Sequence, residues 1–377
     1  MVHARALRIL VLEAQVPFVH GGAEILVREL TGALRRHGHE AAIVSVPFCD
    51  DPKEEILAGA ASWRELDVTT AGGRPVDLVI ATKFPTYFAR HPRKILWLVH
   101  QHRAAYELCG TIYSDFRHTD RDVGLRRRLL ETDTSMLREC ASRFTIAKTV
   151  SARLLKYNGV ESEPLYNPPK LASRLRRDAY GDFVLTVTRL ERVKRVDLAI
   201  NAIADAQPGL RLLVAGDGSA RRELQELIDR RGLHDRVSLL GRVDDEQLID
   251  LYARALAVLF VPFAEDYGYV TLEAFLSRKP VITAHDAGGP LEFVVNDVNG
   301  FVCDPAPEDL ARAIDRLAAN PGLAEQLGER GHAVAHAITW DHVVERLVAG
   351  GAGEARGRAG EGREAGGASR AGEGDRA

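Results

Sequence analysis

The stretch "ALAVLFVPFAEDYGYVTLEAFLSRKPVITA", residues 255–284, holds one complete strand–loop–helix–strand pattern. Its first run, "ALAVLFVPF", is apolar without alternation, as a strand buried on both faces requires. "PVITA" has the same texture, and between them "VTLEAFLSRK" reads as a helix beginning near Tyr269. The unit recurs through the second half, where "FVLTVT", "LRLLVAG" and "VSLLG" are each followed by a helical pattern. A parallel sheet with helices on both faces is predicted there. The first half alternates in the same way: "LRILVLEA", the amphipathic "GGAEILVRELTGALRRHG", then "EAAIVSV", "VDLVIAT", "ILWLVH" and "FTIAK". Between the halves, "ESEPLYNPPKLASRLRRDAYGD" carries three prolines and little periodicity, and reads as a linker. The predicted fold is α/β: two Rossmann-like parallel-sheet domains facing each other across a cleft, over residues 1–168 and 169–338. A terminal helix over 339–350 packs on one of them. The tail 351–377, rich in Gly, Ala, Glu and Arg, has no apolar side chain beyond Ala and reads as disordered.

The length of 377 residues agrees with two cores better than one. Hydrophobic residues make up 46% and charged residues 27%, and the formal net charge is −3, which gives no field for nucleic acid. The basic cluster "RHTDRDVGLRRRLLE" reads as a solvated helix face; contact with an anionic membrane surface is kept as a second reading. Its formal D-x-D, "DRD" at 120–122, does not end an apolar strand and reads as surface. Four cysteines, Cys49, Cys109, Cys140 and Cys303, are scattered without a C-x-x-C pair, as reduced thiols of a cytoplasmic protein are. The N-terminal apolar run stops at Glu13 and reads as a first strand, not a leader, and no run approaches a membrane span.

Ligands of open α/β sheets bind at the carboxyl ends of the strands. After the first strand, Gly21 and Gly22 precede a helix whose free N–H groups suit an anion; an ordinary turn is the alternative. Arg189 ends "FVLTVTR" and Lys194 precedes the next helix, two cations able to neutralise a diphosphate without a metal. Gly216 and Gly218 bracket a strand-to-helix turn that is either merely tight or open to a ligand. Glu265 and Glu273 stand eight positions apart, about 12 Å and about 80° off-face on a continuous helix, so they cannot share a proton. Between them, the amides of Gly268, Tyr269 and Val270 form a helix N-terminus. A diphosphate on those amides, a sugar beside Glu265 and a ribose beside Glu273 would fit one elongated ligand; acidic residues near a helix start also occur for dipole reasons alone.

Taken together, "HGGAE", "TRLERVK", "AGDG", "AEDYGYVTLEAFLSRKPVI" and "AGGPLEFVVNDVNGFV" resemble the retaining GT-B glycosyltransferases of family 4. The resemblance runs to about residue 348 and is strongest over 184–304. It implies that Arg189 and Lys194 bind the donor diphosphate, Glu273 the ribose and Glu265 the transferred sugar. Gly22 would face the phosphates from the N-terminal, acceptor-binding domain, across from a C-terminal nucleotide-sugar domain. His100, in "ILWLVHQHRAAYEL", matches a family histidine near the donor sugar; with His102 it could instead be a metal pair or a structural histidine. The terminal helix would cross back to the first domain. One departure is "DYGY" where the family has Gly-Phe-Gly: Asp266 puts a negative charge close to the expected phosphate site. The acceptor half, "RAAYELCGTIYSDFRHTDRD", matches nothing assignable.

The activity implied is transfer of a hexosyl unit from a nucleoside-diphosphate sugar of UDP or GDP type to a hydroxyl of a saccharide, lipid-linked or small-molecule acceptor. Glu265, His100, Arg189 and Lys194 would be the catalytic set, with no metal and no cofactor beyond the donor, and with retained anomeric configuration. A cytoplasmic protein, with contact at the inner membrane face as an added reading, is expected. The alternatives are a GT-B-like sugar-nucleotide epimerase or hydrolase and a dinucleotide oxidoreductase; against the latter, no G-x-G-x-x-G follows the first strand.

Overall fold

Apolar runs without alternation predict strands covered on both faces. The computed structural model, which describes residues 5–18 and 21–352, buries the central runs so, as at Leu78–Ala81, Lys94–Leu98 and Val281–Ala284, whereas the edge runs Glu40–Pro47 and Val237–Gly241 stay partly exposed. The first domain runs β1 (Arg8–Gln15), α1 (Gly22–Arg36), β2 (Glu40–Pro47), α2 (Ile56–Glu65), a small hairpin of β3 (Thr70–Ala71) and β4 (Arg74–Pro75), β5 (Leu78–Ala81), β6 (Lys94–Leu98), α3 (Asp120–Arg138), β7 (Arg143–Thr145), α4 (Lys148–Asn158) and β8 (Glu163–Pro164). Its main sheet has the order β2-β1-β5-β6-β7-β8 and is parallel throughout. The second domain runs β9 (Phe183–Val187), α5 (Val196–Asp205), β10 (Arg211–Ala215), α6 (Arg221–Arg231), β11 (Val237–Gly241), α7 (Asp245–Arg254), β12 (Ala257–Leu259), α8 (Tyr269–Leu276), β13 (Val281–Ala284), β14 (Gly300–Cys303), α9 (Pro307–Ala318) and α10 (Pro321–His336). Its sheet, β11-β10-β9-β12-β13-β14, is also parallel and has the 3-2-1-4-5-6 order of a doubly wound nucleotide fold.

Helix faces follow from apolar spacing. In α1, Leu26, Val27, Leu30, Ala33 and Leu34 form one buried stripe, and in α9 Leu310, Ala311, Ile314 and Leu317 do the same. One apolar cluster fills the first domain and continues across the domain boundary through Tyr267, Leu272 and Phe275. A second is confined to the other domain and includes Val184, Leu212, Leu259 and Ile314.

Helix α11 (Trp340–Ala352) returns to the first domain: the Trp340 ring meets Trp97 of β6 edge-on at 6.2 Å, and Arg346 pairs with Glu163 across 2.5 Å. It extends two residues into the stretch assigned to the tail, and Gly351 is buried in it; the remainder of that tail lies outside the described residues. The proline-rich segment is not all linker, because Glu163 and Pro164 pair with Phe144 and Thr145 as the edge strand of the first sheet. Proline is tolerated there because an edge strand leaves one row of N–H groups unused. "DRD" is likewise not plain surface: it opens α3, and Asp122 is buried against Lys53 at 2.9 Å while accepting the Arg117 N–H at 2.7 Å.

Candidate active site at the domain cleft

Both sheets have a switch point, between β1 and β5 in one and between β9 and β12 in the other, and the loops after these strands face each other. A cleft of about 700 Å³ lies between them. Its lining joins Gly22, Ile25, Leu26 and Glu29 of α1 to Thr188, Arg189, Lys194, Gly216, Asp217, Gly218, Glu265, Gly268, Tyr269, Val270 and Glu273. Gly21 and His100 stand outside that lining.

Close approach constrains two glycines. A Cβ on Gly22 would come within 3.2 Å of the Tyr269 ring, a contact relieved only by a shift of that ring, so the α1 and α8 N-termini meet closely at residue 22. Gly216, at φ +137°, passes so near β9 that a Cβ would lie 1.8 Å from the Thr188 carbonyl oxygen. The turn is therefore both tight and part of the cleft wall. The neighbouring Gly21 N–H donates to Glu24 at 2.8 Å, and that carboxylate also takes Lys83 Nζ at 2.6 Å, a buried pair that ties the α1 entrance to the end of β5. Lys83 and the Gly21 N–H together outweigh burial and hold the Glu24 carboxyl below its ordinary range.

The central contact joins two residues of separate expected roles: Lys194 Nζ donates to Glu265 Oε2. The cation expected on the diphosphate and the carboxylate expected on the sugar form one ion pair, both largely withdrawn from solvent. Arg189 is half-exposed and pairs with Glu191 at 2.8 Å. Opposite them α8 begins at Tyr269, with Gly268 in the left-handed region at φ 83° and no side chain capping the end; Thr271 N–H is taken by the Gly268 carbonyl at 2.9 Å, and Gly268, Tyr269 and Val270 line the cleft. Glu273 lies one turn further along; Tyr252 donates its hydroxyl to Glu273 Oε2 at 2.7 Å, and burial raises the carboxyl above its ordinary value despite that bond.

The tyrosines of "YGY" hold the linker. Tyr267 is buried; its hydroxyl donates to the Asn167 carbonyl at 2.6 Å and accepts the Asn167 N–H at 3.0 Å. The Tyr269 hydroxyl accepts from Asn167 Nδ2 at 2.9 Å. Asp266, expected to burden the phosphate site, points elsewhere: it pairs with Arg153 at 2.6 Å and Arg103 at 3.5 Å, both from the first domain. Glycines 288 and 289 back the same loop, with Gly289 N–H donating to the Glu265 carbonyl at 2.7 Å. Glu292 then reaches the first domain, accepting Lys148 N–H at 2.9 Å and Thr149 N–H at 2.6 Å at the start of α4, and the Tyr166 hydroxyl at 2.7 Å.

His100 follows β6 and lies beside Asp266 and Lys83. Burial pushes it down to about 4, only partly offset by Asp266, so it is neutral near pH 7. Its Nδ1 meets the Gln101 carbonyl at 2.8 Å, and a carbonyl only accepts. Nδ1 therefore carries the proton, which leaves Nε2 a lone pair able to accept from a hydroxyl. His102 packs against the Phe84 and Phe116 rings at 5.8 and 6.0 Å, a structural position. Among the described residues, no group of three or more His, Cys, Asp or Glu could hold a metal ion, and no helix is long and apolar enough to cross a membrane.

Residues 170–334 match the family described as glycosyl transferases group 1. The chain is 32% identical over 166 residues to human alpha-1,3/1,6-mannosyltransferase ALG2, a match covering 40% of each protein. It spans about two fifths of the length of these curated relatives. Among solved structures it is similar to sucrose-phosphate synthase from Thermosynechococcus elongatus, with TM-score 0.70 and 19% identity, covering 94% of this chain and 100% of that one. It is also similar to HepE of Anabaena in complex with UDP and glucose, with TM-score 0.65 and 18% identity, covering 94% and 99%. The sheet orders, the facing switch points and these likenesses agree: the chain has the GT-B fold, and its residues 170–334 match the glycosyl transferases group 1 family.

Proposed function

We propose that this chain transfers a hexosyl unit from a nucleoside-diphosphate sugar to a hydroxyl of a saccharide or lipid-linked acceptor, without a metal and with retention of anomeric configuration. The observation that carries the reading is the convergence, on one cleft, of Arg189, the Lys194–Glu265 pair and the uncapped α8 N-terminus. These are the groups needed where negative charge develops on a departing diphosphate. The UDP complex of a similar fold and the mannosyltransferase relative support the donor class.

Departure of the diphosphate breaks the anomeric C–O bond, and the acceptor oxygen forms a new one on the same face. The acceptor proton passes to an oxygen of the leaving diphosphate. A double displacement would need a free carboxylate at the anomeric carbon. Glu265, the cleft carboxylate assigned to the transferred sugar, is occupied by Lys194, which lowers its nucleophilicity and suits it to hold sugar hydroxyls. Neutral His100, with its Nε2 lone pair, would receive a sugar hydroxyl from the other domain. Proton NMR of the fresh product tests the reading: with UDP-glucose or GDP-mannose, transfer should persist in EDTA and give the donor's anomeric coupling. An inverted coupling, or loss of activity in EDTA restored by a divalent ion, overturns it.

A further inference from the structure

We propose that Asp266, acting through Arg103, is a positioning residue that sets the orientation of the two domains and thereby the placement of Glu265; the catalytic part of this inference rests on the function proposed above. Asp266 is 8% exposed and Arg153 5% exposed, so their contact at 2.6 Å is an ion pair removed from water, unlike a surface pair. Arg153 is itself held, donating to Gln101 Oε1 at 2.9 Å and Glu107 Oε1 at 2.8 Å. Arg103 shares Glu107 at 2.5 Å and donates a second N–H across the domain boundary to the Ala264 carbonyl at 2.5 Å.

Two cations thus meet two carboxylates, but one carboxylate belongs to the second domain. The first domain alone is left with Arg103 and Arg153 against Glu107. Charge balance in this buried cluster is complete only when Asp266 is docked, and breaking a buried pair leaves an uncompensated charge. Burial would raise the Asp266 carboxyl; Arg103, Arg153 and His100 outweigh it and keep it below the ordinary range, so it is ionised.

The same docking bears on Glu265. Ala264 sits in the left-handed region at φ 48°, a conformation a non-glycine residue keeps only when its surroundings hold it. Those surroundings are the Ala264 N–H donating to the Asp286 carbonyl at 3.0 Å, the Glu265 N–H donating to Ala287 at 2.7 Å, and Arg103 on the Ala264 carbonyl. Asp266 orients Arg103, and Arg103 fixes the peptide immediately before Glu265.

The test uses the full chain with Asp266→Asn and Arg103→Lys, the latter keeping charge while losing the fork that reaches Ala264 and Asp266 together. Turnover is measured with UDP-glucose and GDP-mannose, nucleotide affinity with UDP and GDP by calorimetry, and amide hydrogen exchange by mass spectrometry over residues 262–268. Both variants should lose at least tenfold in kcat, keep donor KM and nucleotide Kd within about twofold, and exchange the Ala264 and Glu265 amides at least tenfold faster; Asp266→Glu should restore part of the loss. Unchanged exchange in both variants overturns the inference, as does a donor KM that rises in step with the loss of kcat. Should the parent protein turn over neither donor, the proposed function fails while the exchange measurement still decides the role of Asp266. Arg103→Lys keeps the test decisive if Asp266→Asn does not fold.

Discussion

The two domains share an architecture yet spend their charged residues differently. In the second, the groups at the switch point stay in or beside the cleft: Arg189 is half-exposed, and Glu273 has one oxygen on Tyr252 and faces the cavity. In the first, most charges near the boundary are buried and matched to one another, as in Glu24 with Lys83 and Arg153 with Glu107, and the cleft is met chiefly by the first two turns of α1, with Glu29 the charge they bring to it. One half leaves charge on the cleft wall, and the other spends it on holding its own loops against the first. A pair buried away from the cleft, such as Glu24 with Lys83, has little left to offer a ligand, whereas a charge on the cleft wall keeps part of its field for one, as half-exposed Arg189 does and as Lys194 does even while paired with Glu265.

The sharpest way to break that contrast is Lys194→Ala. It removes a cation from the proposed leaving-group site and takes the Lys194 partner from Glu265, so kcat should fall by about 10²–10³ with the fold intact. Near-normal turnover would remove the second domain's claim to the chemistry. Next is Gly216→Ala, where the added Cβ would meet the Thr188 carbonyl at 1.8 Å; thermal unfolding should show a loss of about 3 kcal/mol. An unchanged melting temperature would mean that the β9–β10 loops yield more easily than their packing implies.

Glu273→Gln is milder. It keeps the shape and, if Glu273 holds the donor ribose as proposed, weakens a contact common to ground and transition states, so donor KM should rise about tenfold, or about 1.4 kcal/mol, with kcat unchanged. A lowered kcat at constant KM would move Glu273 into the reacting set. The smallest effect belongs to the first domain. Unfolded, His100 titrates near 6.5; folded, near 4. Between those values the unfolded chain binds the additional proton, so this contribution to stability is complete above 6.5 and is lost as pH falls toward 4. Asp133, which burial pushes up to about 7 against the hydrogen bond it accepts from the Tyr106 hydroxyl, acts in the opposite sense over the same range. Comparing melting curves of the parent and His100→Gln from pH 7 to 5 isolates the histidine: the variant should lose less. Parallel curves would mean that His100 is not buried as a neutral ring.

Arg189, Lys194, Gly216, Glu265, Gly268 and Glu273 were readable because each sits within a few residues of the end of a recognisable strand, where a local pattern locates it. Arg103, Arg153, Tyr267, Asn167 and Glu292 were not. Each acts on a partner far along the chain, as Arg103 does on Ala264 and Glu292 on Lys148. Signals existed: Arg103 and Glu107 stand four apart, as an ion pair on a helical turn would, in the segment that matched nothing. Asp266, placed after a buried strand, also needed a cation that no neighbour in sequence provided.

The sequence by itself determined two parallel sheets, the elements that end at the cleft and the residue types there, because hydrophobic periodicity and helix starts are properties of a few consecutive residues. Tertiary structure alone decided that Lys194 binds Glu265, that Asp266 turns from the cleft to two arginines of the other domain, and that the tyrosines of "YGY" grip the linker. The physical reason is that a charge or hydroxyl is satisfied by whichever partner lies within about 3 Å, and that partner is chosen by how two folded domains meet rather than by position along the chain.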